Sequence, residues 1–126
     1  MKVLGIDYGT KRIGLAISDE TQTLARELAI VSPEEFWQQI DGLIEEQGVS
    51  IIALGLPLNM SGEATQKSAE VQEFSDKLQQ RLTIPVEMVD ERLSSVMAEQ
   101  ITGSGEQIDS LAAQIFLQNY LNKNKQ

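Results

Sequence analysis

The fold of this chain is decided by residues 3–19, VLGIDYGTKRIGLAISD. An apolar run ends on Asp7, a turn containing Gly9 follows, and a second apolar run leads to Asp19. This pattern predicts an antiparallel β-hairpin, with Gly9 in the left-handed backbone conformation that a tight reversal favours. Asp7 then ends a buried strand, where it is either a metal ligand or catalytic group, or a turn carboxylate that bonds the hairpin backbone.

The composition excludes several kinds of chemistry. The 126 residues include no cysteine and no histidine, which rules out disulfides, thiolate zinc sites, cysteine nucleophiles and the Ser-His-Asp triad. Catalysis would have to use carboxylates, lysine, tyrosine, hydroxyl groups or a hard metal ion. The net charge of −9 argues against broad electrostatic attraction to nucleic acid. No apolar run approaches the roughly 18 residues of a membrane span, so we expect one cytoplasmic domain, residues 1–126.

The pattern of the remaining chain predicts an α/β layered domain. Ser32 and Glu35 form a capping box around Pro33, which predicts a helix that runs to about Gln47 and stops at Gly48. The other predicted elements are strands at 23–31, 50–55 and 85–89, a helix after the loop at 58–62, a short helix ending at 101, a final helix at 108–121 and a frayed tail at 122–126.

Acidic residues fall at the ends of three predicted elements. The first strand ends on Asp7, the last strand ends on Asp90 and Glu91, and Asp109 lies in the first turn of the final helix. Parallel strand ends share the rim at which open α/β sheets bind ligands. At helical spacing from Asp109 the residues are apolar or aromatic, so Asp109 is expected to face the sheet. Those residues are Ala112, Ala113, Phe116 and Tyr120.

Carboxylates gathered at one rim favour a divalent cation, which compensates both their burial and their mutual repulsion. Oxygen ligands select Mg²⁺ or Mn²⁺, and such ions support phosphodiester hydrolysis. Plainer interpretations stay open: Asp90 as a strand-end polar residue, Glu91 as the partner of Arg92, and Asp109 as a favourable charge at a helix N-terminus.

Cations near the first hairpin have two interpretations as well. Lys11 and Arg12 are either solvated hairpin charges or phosphate contacts. The mixed charges of the helix after residue 62, Lys67 among them, predict a solvated helix face.

Four segments together resemble the YqgF/RuvX family, in the same order and across nearly the whole chain. They are GIDYGTKRIGLAISD, ALGLPLNMSGEATQ, VDERLSS and IDSLAAQIFLQNYL. The resemblance implies an RNase H-like fold, with a five-stranded mixed sheet flanked by helices. It also implies a metal-dependent nuclease for precursor 16S ribosomal RNA, acting in 5′-end maturation during ribosome biogenesis, or alternatively a Holliday junction resolvase acting on branched DNA.

Carried onto this sequence, the resemblance implies metal ligation by Asp7, Asp109 and one acid of the VDERLSS segment. Glu91 is favoured over Asp90, because alternation turns Asp90 away from the core if Val89 faces it. Lys11, Arg12 and Arg92 would contact phosphate. The expected ion is Mg²⁺ or Mn²⁺, the ribosomal particle is a further expected partner, and the chain would be a monomer or a homodimer.

The chain departs from the relatives in two places. The fourth strand ends in Gly55-Leu56-Pro57 instead of on an acid, and the loop at 103–107 lacks the lysines and arginines that family members often carry there. The low positive charge keeps a non-catalytic RNA- or ribosome-binding module as a third hypothesis. Residues 7–10 also resemble the first phosphate loop of the actin, hexokinase and Hsp70 ATPases, but those enzymes need two such domains.

Overall fold

A computed structural model describes residues 1–56, 66–90 and 107–124. Within these residues five strands form one sheet: β1 (Lys2–Asp7), β2 (Ile13–Ser18), β3 (Ala25–Val31), β4 (Val49–Leu56) and β5 (Val86–Asp90). The helices described are α1 (Pro33–Gln47), α2 (Gln66–Arg81) and α3 (Gln107–Asn124). The strand order is β3-β2-β1-β4-β5. Strand β2 is antiparallel to β1 and β3, whereas β1, β4 and β5 are parallel. The predicted mixed sheet flanked by helices is confirmed.

The ends of α1 are set by its capping residues, as the sequence predicts. The Ser32 hydroxyl accepts a hydrogen bond from the Glu35 amide at 3.1 Å, and the Glu35 carboxylate accepts one from the Ser32 amide at 2.9 Å. At the other end Gly48 adopts φ 69°, and its amide donates to the Ile44 carbonyl. Glycine takes this left-handed conformation at no steric cost, so the helix stops there.

Two apolar layers cover the sheet, one on each face. Leu4 and Ile6 of β1 pack in the layer that α1 and α2 complete, whereas Val3 packs in the layer beneath α3. Strand β4 alternates in the same way, with Ile52 facing the first layer and Ala53 the second. The continuous apolar run in β4 is therefore buried on both sides, as predicted. Within the described part of the chain, no helix combines the length and apolar character needed to cross a membrane.

Hydrogen bonds from two glutamine side chains show the direction of α3 across the sheet. Gln114 donates to the Ala25 carbonyl at 3.2 Å, and Gln118, one turn later, donates to the Thr23 carbonyl at 2.8 Å. Successive turns of α3 therefore contact progressively earlier residues of the β3 segment. Since β1 and β3 are both antiparallel to β2, α3 runs antiparallel to β1. Its first turn points to the edge of the sheet where β1 ends.

Gly9 and the start of β3 differ from what the sequence predicts. The positive φ predicted for Gly9 is wrong: among the described glycines only Gly48 has one. Gly9 is required for another reason, because a Cβ there would lie 2.5 Å from the Arg12 carbonyl oxygen. Strand β3 begins at Ala25, after a turn in which the Asp19 carboxylate binds the Thr23 amide.

The predicted fraying of the C-terminal tail is wrong for residues 122–124. Helix α3 continues to Asn124, past the predicted end at Leu121. Leu121 is buried against the sheet, and Gln118 donates to the Asn122 side chain at 3.1 Å. These contacts hold the last turn in place. The short helix predicted to end at residue 101 lies outside the described residues.

Candidate functional site

Asp7 is a buried carboxylate at the end of β1. Only 8% of the residue is exposed, and its backbone pairs with Gly14 of β2. A negative charge this deeply buried is costly unless another group compensates it. Burial at a strand end is what a metal ligand or catalytic group requires, and the site role of Asp7 stays a prediction.

The parallel strands β1, β4 and β5 end at the same edge of the sheet. Ile6 of β1 pairs with Leu54 of β4, and Leu56 of β4 pairs with Asp90 of β5. The backbones of Asp7 and Asp90 are therefore separated by two strand spacings, about 10 Å. The two predicted strand-end positions do share one rim.

Helix α3 brings Asp109 toward the same rim. The helix touches β1 at Gly5, where a Cβ would lie 3.1 Å from the Leu117 Cβ and 3.5 Å from the Ala113 carbonyl oxygen. From that contact Asp7 lies two residues further along β1, a rise of about 7 Å. Asp109 lies one turn back along the antiparallel helix, a rise of about 6 Å. Both displacements point toward the end of β1, so the backbones of Asp7 and Asp109 lie near each other at that end of the sheet.

The predicted inward face of α3 is confirmed. Ala112, Ala113 and Phe116 are buried against the sheet, and Tyr120 is half-buried beside them. This face begins one turn after Asp109, whose backbone belongs to the helix.

The complete ligand set stays a prediction. The side chains of Asp90 and Asp109, and Glu91 and Arg92 altogether, lie outside the described residues. Among the residues that are described, no group of three or more acidic side chains could hold one ion. Val89 packs in the layer beneath α3, and strand alternation from it favours Glu91 over Asp90 as the residue on that side.

A cleft of about 510 Å³ opens beside the turn that follows Asp7. We call it the basic cleft. Its lining residues are Gly9, Thr10, Lys11, Arg12, Gln66, Lys67 and Glu70. Lys11 and Arg12 are exposed there, as predicted, and face the start of α2.

Sequence reasoning missed Lys67, because its α2 neighbours alternate in charge. Its position in the sequence could have indicated this place. Lys67 lies at the start of the helix that follows β4, and β4 ends at the same edge of the sheet as Asp7.

The architecture defines an RNase H-like domain. The chain resembles the solved structure of Thermus thermophilus RuvC in complex with a Holliday junction substrate, with a TM-score of 0.59 and 16% sequence identity. The match covers 99% of this chain and 96% of that chain. At this identity the likeness establishes the fold.

Sequence comparison identifies the family. A family profile described as "RuvX: Holliday junction resolvase" matches residues 1–123. A Chloroflexus aurantiacus protein named "Putative pre-16S rRNA nuclease" is 44% identical, over 94% of this chain and 85% of the relative. A Halothermothrix orenii protein of the same name is 39% identical, over 97% of this chain and 95% of the relative. The chain belongs to the RuvX family, as its four sequence segments predict.

Proposed function

We propose that this protein is a divalent-metal-dependent nuclease that matures the 5′ end of precursor 16S ribosomal RNA in the cytoplasm. The observation that carries the proposal is the buried Asp7 carboxylate, 8% exposed at the rim where β1, β4 and β5 end, beside the basic cleft. The names of the similar proteins support RNA as the substrate.

We assign the metal ion to Asp7, Asp109 and Glu91, or Asp90 in place of Glu91. The donors are carboxylate oxygens, which suit Mg²⁺ or Mn²⁺. The burial of Asp7 fits this assignment, because a divalent cation offsets the cost of burying negative charge. When bound, such an ion supplies an activated water nucleophile and stabilises the leaving oxygen of a phosphodiester.

The cations of the chain hold the substrate in this proposal. Lys11 and Arg12 neutralise backbone phosphates in the basic cleft, and Arg92 contributes a further contact. The net charge of −9 opposes RNA binding only weakly at this site. At physiological ionic strength charges are screened beyond about 8 Å, so the cations that line the cleft outweigh acids elsewhere on the surface.

A cleavage assay on precursor 16S RNA tests the proposal. We expect specific cutting with Mg²⁺ or Mn²⁺, no cutting in EDTA, and loss of cutting in Asp7→Asn, which keeps the side-chain volume but removes a charged ligand. Asp76→Asn is the matched control, since Asp76 lies on the exposed face of α2 and bonds only Gln72 within the described residues. Activity that survives Asp7→Asn unchanged would overturn the metal site.

Holliday junction resolution is the second candidate function. The description of the matching family profile favours it. The same assay therefore includes a four-way DNA junction. Cutting of the junction but not of the RNA would establish this alternative. If neither substrate is cut but RNA is retained, the chain is a non-catalytic RNA- or ribosome-binding module.

A further inference from the structure

A second cavity continues from the basic cleft. We call it the aromatic recess; its volume is about 240 Å³. Its lining residues are Tyr8, Thr10, Pro33, Trp37, Glu70, Glu73, Phe74 and Lys77. Thr10 and Glu70 line the cleft as well as the recess, so one strand of nucleic acid could occupy both.

Aromatic rings form the wall of the recess. Tyr8 stacks on Phe74 with ring centroids 4.3 Å apart, and the Trp37 ring lies 5.4 Å from Phe74. Phe74 is buried, whereas Tyr8 and Trp37 are half-buried and so keep part of their rings accessible. Partly accessible rings beside a cationic groove are the usual platform for a base of single-stranded nucleic acid.

The acidic side chains that line the recess favour a different chemical group from the phosphate that the basic cleft favours. Glu70 and Glu73 both line it, and two carboxylates repel a phosphate but accept hydrogen bonds from an amino group. Glu73 pairs with Lys77 at 3.8 Å. Within the described part of the chain no cation pairs with Glu70, which leaves that carboxylate as the acceptor.

We propose that the aromatic recess is a nucleobase subsite for single-stranded RNA. The base packs against Tyr8 and Trp37, and its exocyclic amino group donates to the Glu70 carboxylate. The neighbouring phosphates lie in the basic cleft against Lys11, Arg12 and Lys67. This subsite deepens the proposed nuclease function and rests on it. Cytosine fits better than uracil, because cytosine presents an N4 amino donor where uracil presents an oxygen acceptor.

Trp37 makes the test direct, since it is the single tryptophan of the chain. The full-length protein is titrated in EDTA with pentamers of cytidine, of uridine and of an abasic ribose phosphate. We expect the cytidine pentamer to quench Trp37 fluorescence and to bind about tenfold more tightly than the uridine pentamer, the value of a hydrogen bond to a charged group. The end-labelled abasic pentamer should bind, by anisotropy, without quenching.

Two α2 variants separate the subsite from general charge effects. Glu70→Gln should bring the cytidine-to-uridine affinity ratio close to one, whereas Asp76→Asn, the matched control on the same helix outside both cavities, should keep it. Both variants conserve side-chain size at positions outside the apolar core. A ratio unchanged by Glu70→Gln, or equal quenching by the abasic strand, would overturn the subsite.

The remaining outcomes separate this inference from the nuclease function. Cleavage of precursor RNA by a protein whose Trp37 signal does not respond would overturn the subsite alone. Quenching with cytidine preference in a protein that cuts nothing would support the subsite and overturn the nuclease. Tighter binding of the ribose than of the deoxyribose pentamer supports RNA as the source of the base; equal or weaker binding overturns that assignment.

Discussion

Asp7 ends β1 and Asp19 directly follows β2, and because these strands are antiparallel the two acids lie at opposite ends of the pair. The Asp19 carboxylate accepts hydrogen bonds from the amides of Thr23 at 2.8 Å and Leu24 at 3.2 Å, and from the Thr21 hydroxyl at 3.0 Å. The Thr23 amide is the main cause that holds the pKa of Asp19 below its ordinary value. Asp7 is instead buried at the rim where three parallel strands end.

The same sequence pattern, an acid at the end of an apolar strand, therefore occurs in two different surroundings. Asp19 is a turn carboxylate, which is one of the two interpretations that the sequence leaves open for Asp7. The two differ because parallel strands bring their C-terminal ends to one rim, and Asp7 lies on that rim while Asp19 lies beyond the start of β1.

The largest expected effect is the difference in RNA cleavage between variants of Asp7 and of Asp19. Asp7→Asn should lower RNA cleavage at least about 100-fold, as expected when a metal ligand is lost. Asp19→Asn should keep the cleavage rate but lower the melting temperature, because the turn loses charge-assisted hydrogen bonds. Saturating Mn²⁺ should raise the melting temperature of the wild type and of Asp19→Asn by mass action, but not that of Asp7→Asn. Equal loss of activity in both variants would contradict the division.

The turn after Asp7 should tolerate change less than an exposed helix. Gly9→Ala places a Cβ 2.5 Å from the Arg12 carbonyl oxygen, so the turn that carries Lys11 and Arg12 must move. We expect a stability loss of about 1–3 kcal/mol in urea denaturation, together with weaker RNA binding. Gly42→Ala is the matched control in α1, where a Cβ meets nothing within 4 Å. It should stabilise by about 0.5–1 kcal/mol and leave binding unchanged.

The contact between α3 and β1 should affect metal binding at the edge of the sheet where Asp7 lies. In Gly5→Ala the new Cβ lies 3.1 Å from the Leu117 Cβ, so α3 must shift by a few tenths of an ångström. We expect a cost of about 1–2 kcal/mol and a higher Mn²⁺ concentration for half-maximal cleavage, because Asp109 moves with the helix. An unchanged Mn²⁺ requirement would argue against Asp109 as a ligand.

The smallest effect is the acid dependence of stability. Glu35 resembles Asp19: the Ser32 amide is the main cause that lowers its pKa. Because both pKa values are lowered on folding, the two carboxylates stabilise the protein above their unfolded pKa values, about 4. This contribution is lost as the pH falls through the folded values. The melting temperature of Asp19→Asn should therefore fall less between pH 5 and 2.5 than that of the wild type, and a parallel fall would contradict the assignment.

Local rules made much of the fold predictable. The capping box of Ser32 and Glu35 and the stop at Gly48 depend on neighbours within a few residues, so both ends of α1 could be read from the sequence. The inward face of α3 followed from helical periodicity in the same way. Gly9 was misjudged, because its restriction comes from a carbonyl three residues away across the turn and not from its own φ. The start of β3 was misjudged because the Asp19 side chain competes for backbone amides.

The sequence by itself determined the element types, their order, the family and the acids at the element ends, because propensity, capping and alternation are local. Only the tertiary structure decided which of these residues meet. The parallel pairing of β1, β4 and β5 brings the backbones of Asp7 and Asp90 to one rim, and the antiparallel course of α3 brings the backbone of Asp109 to the same rim. The stacking of Phe74 on Tyr8 holds α2 beside the turn of the first hairpin, so that Lys67 and Lys11 line the same cleft. Such contacts between residues distant in sequence depend on sheet topology and packing, which no local pattern records.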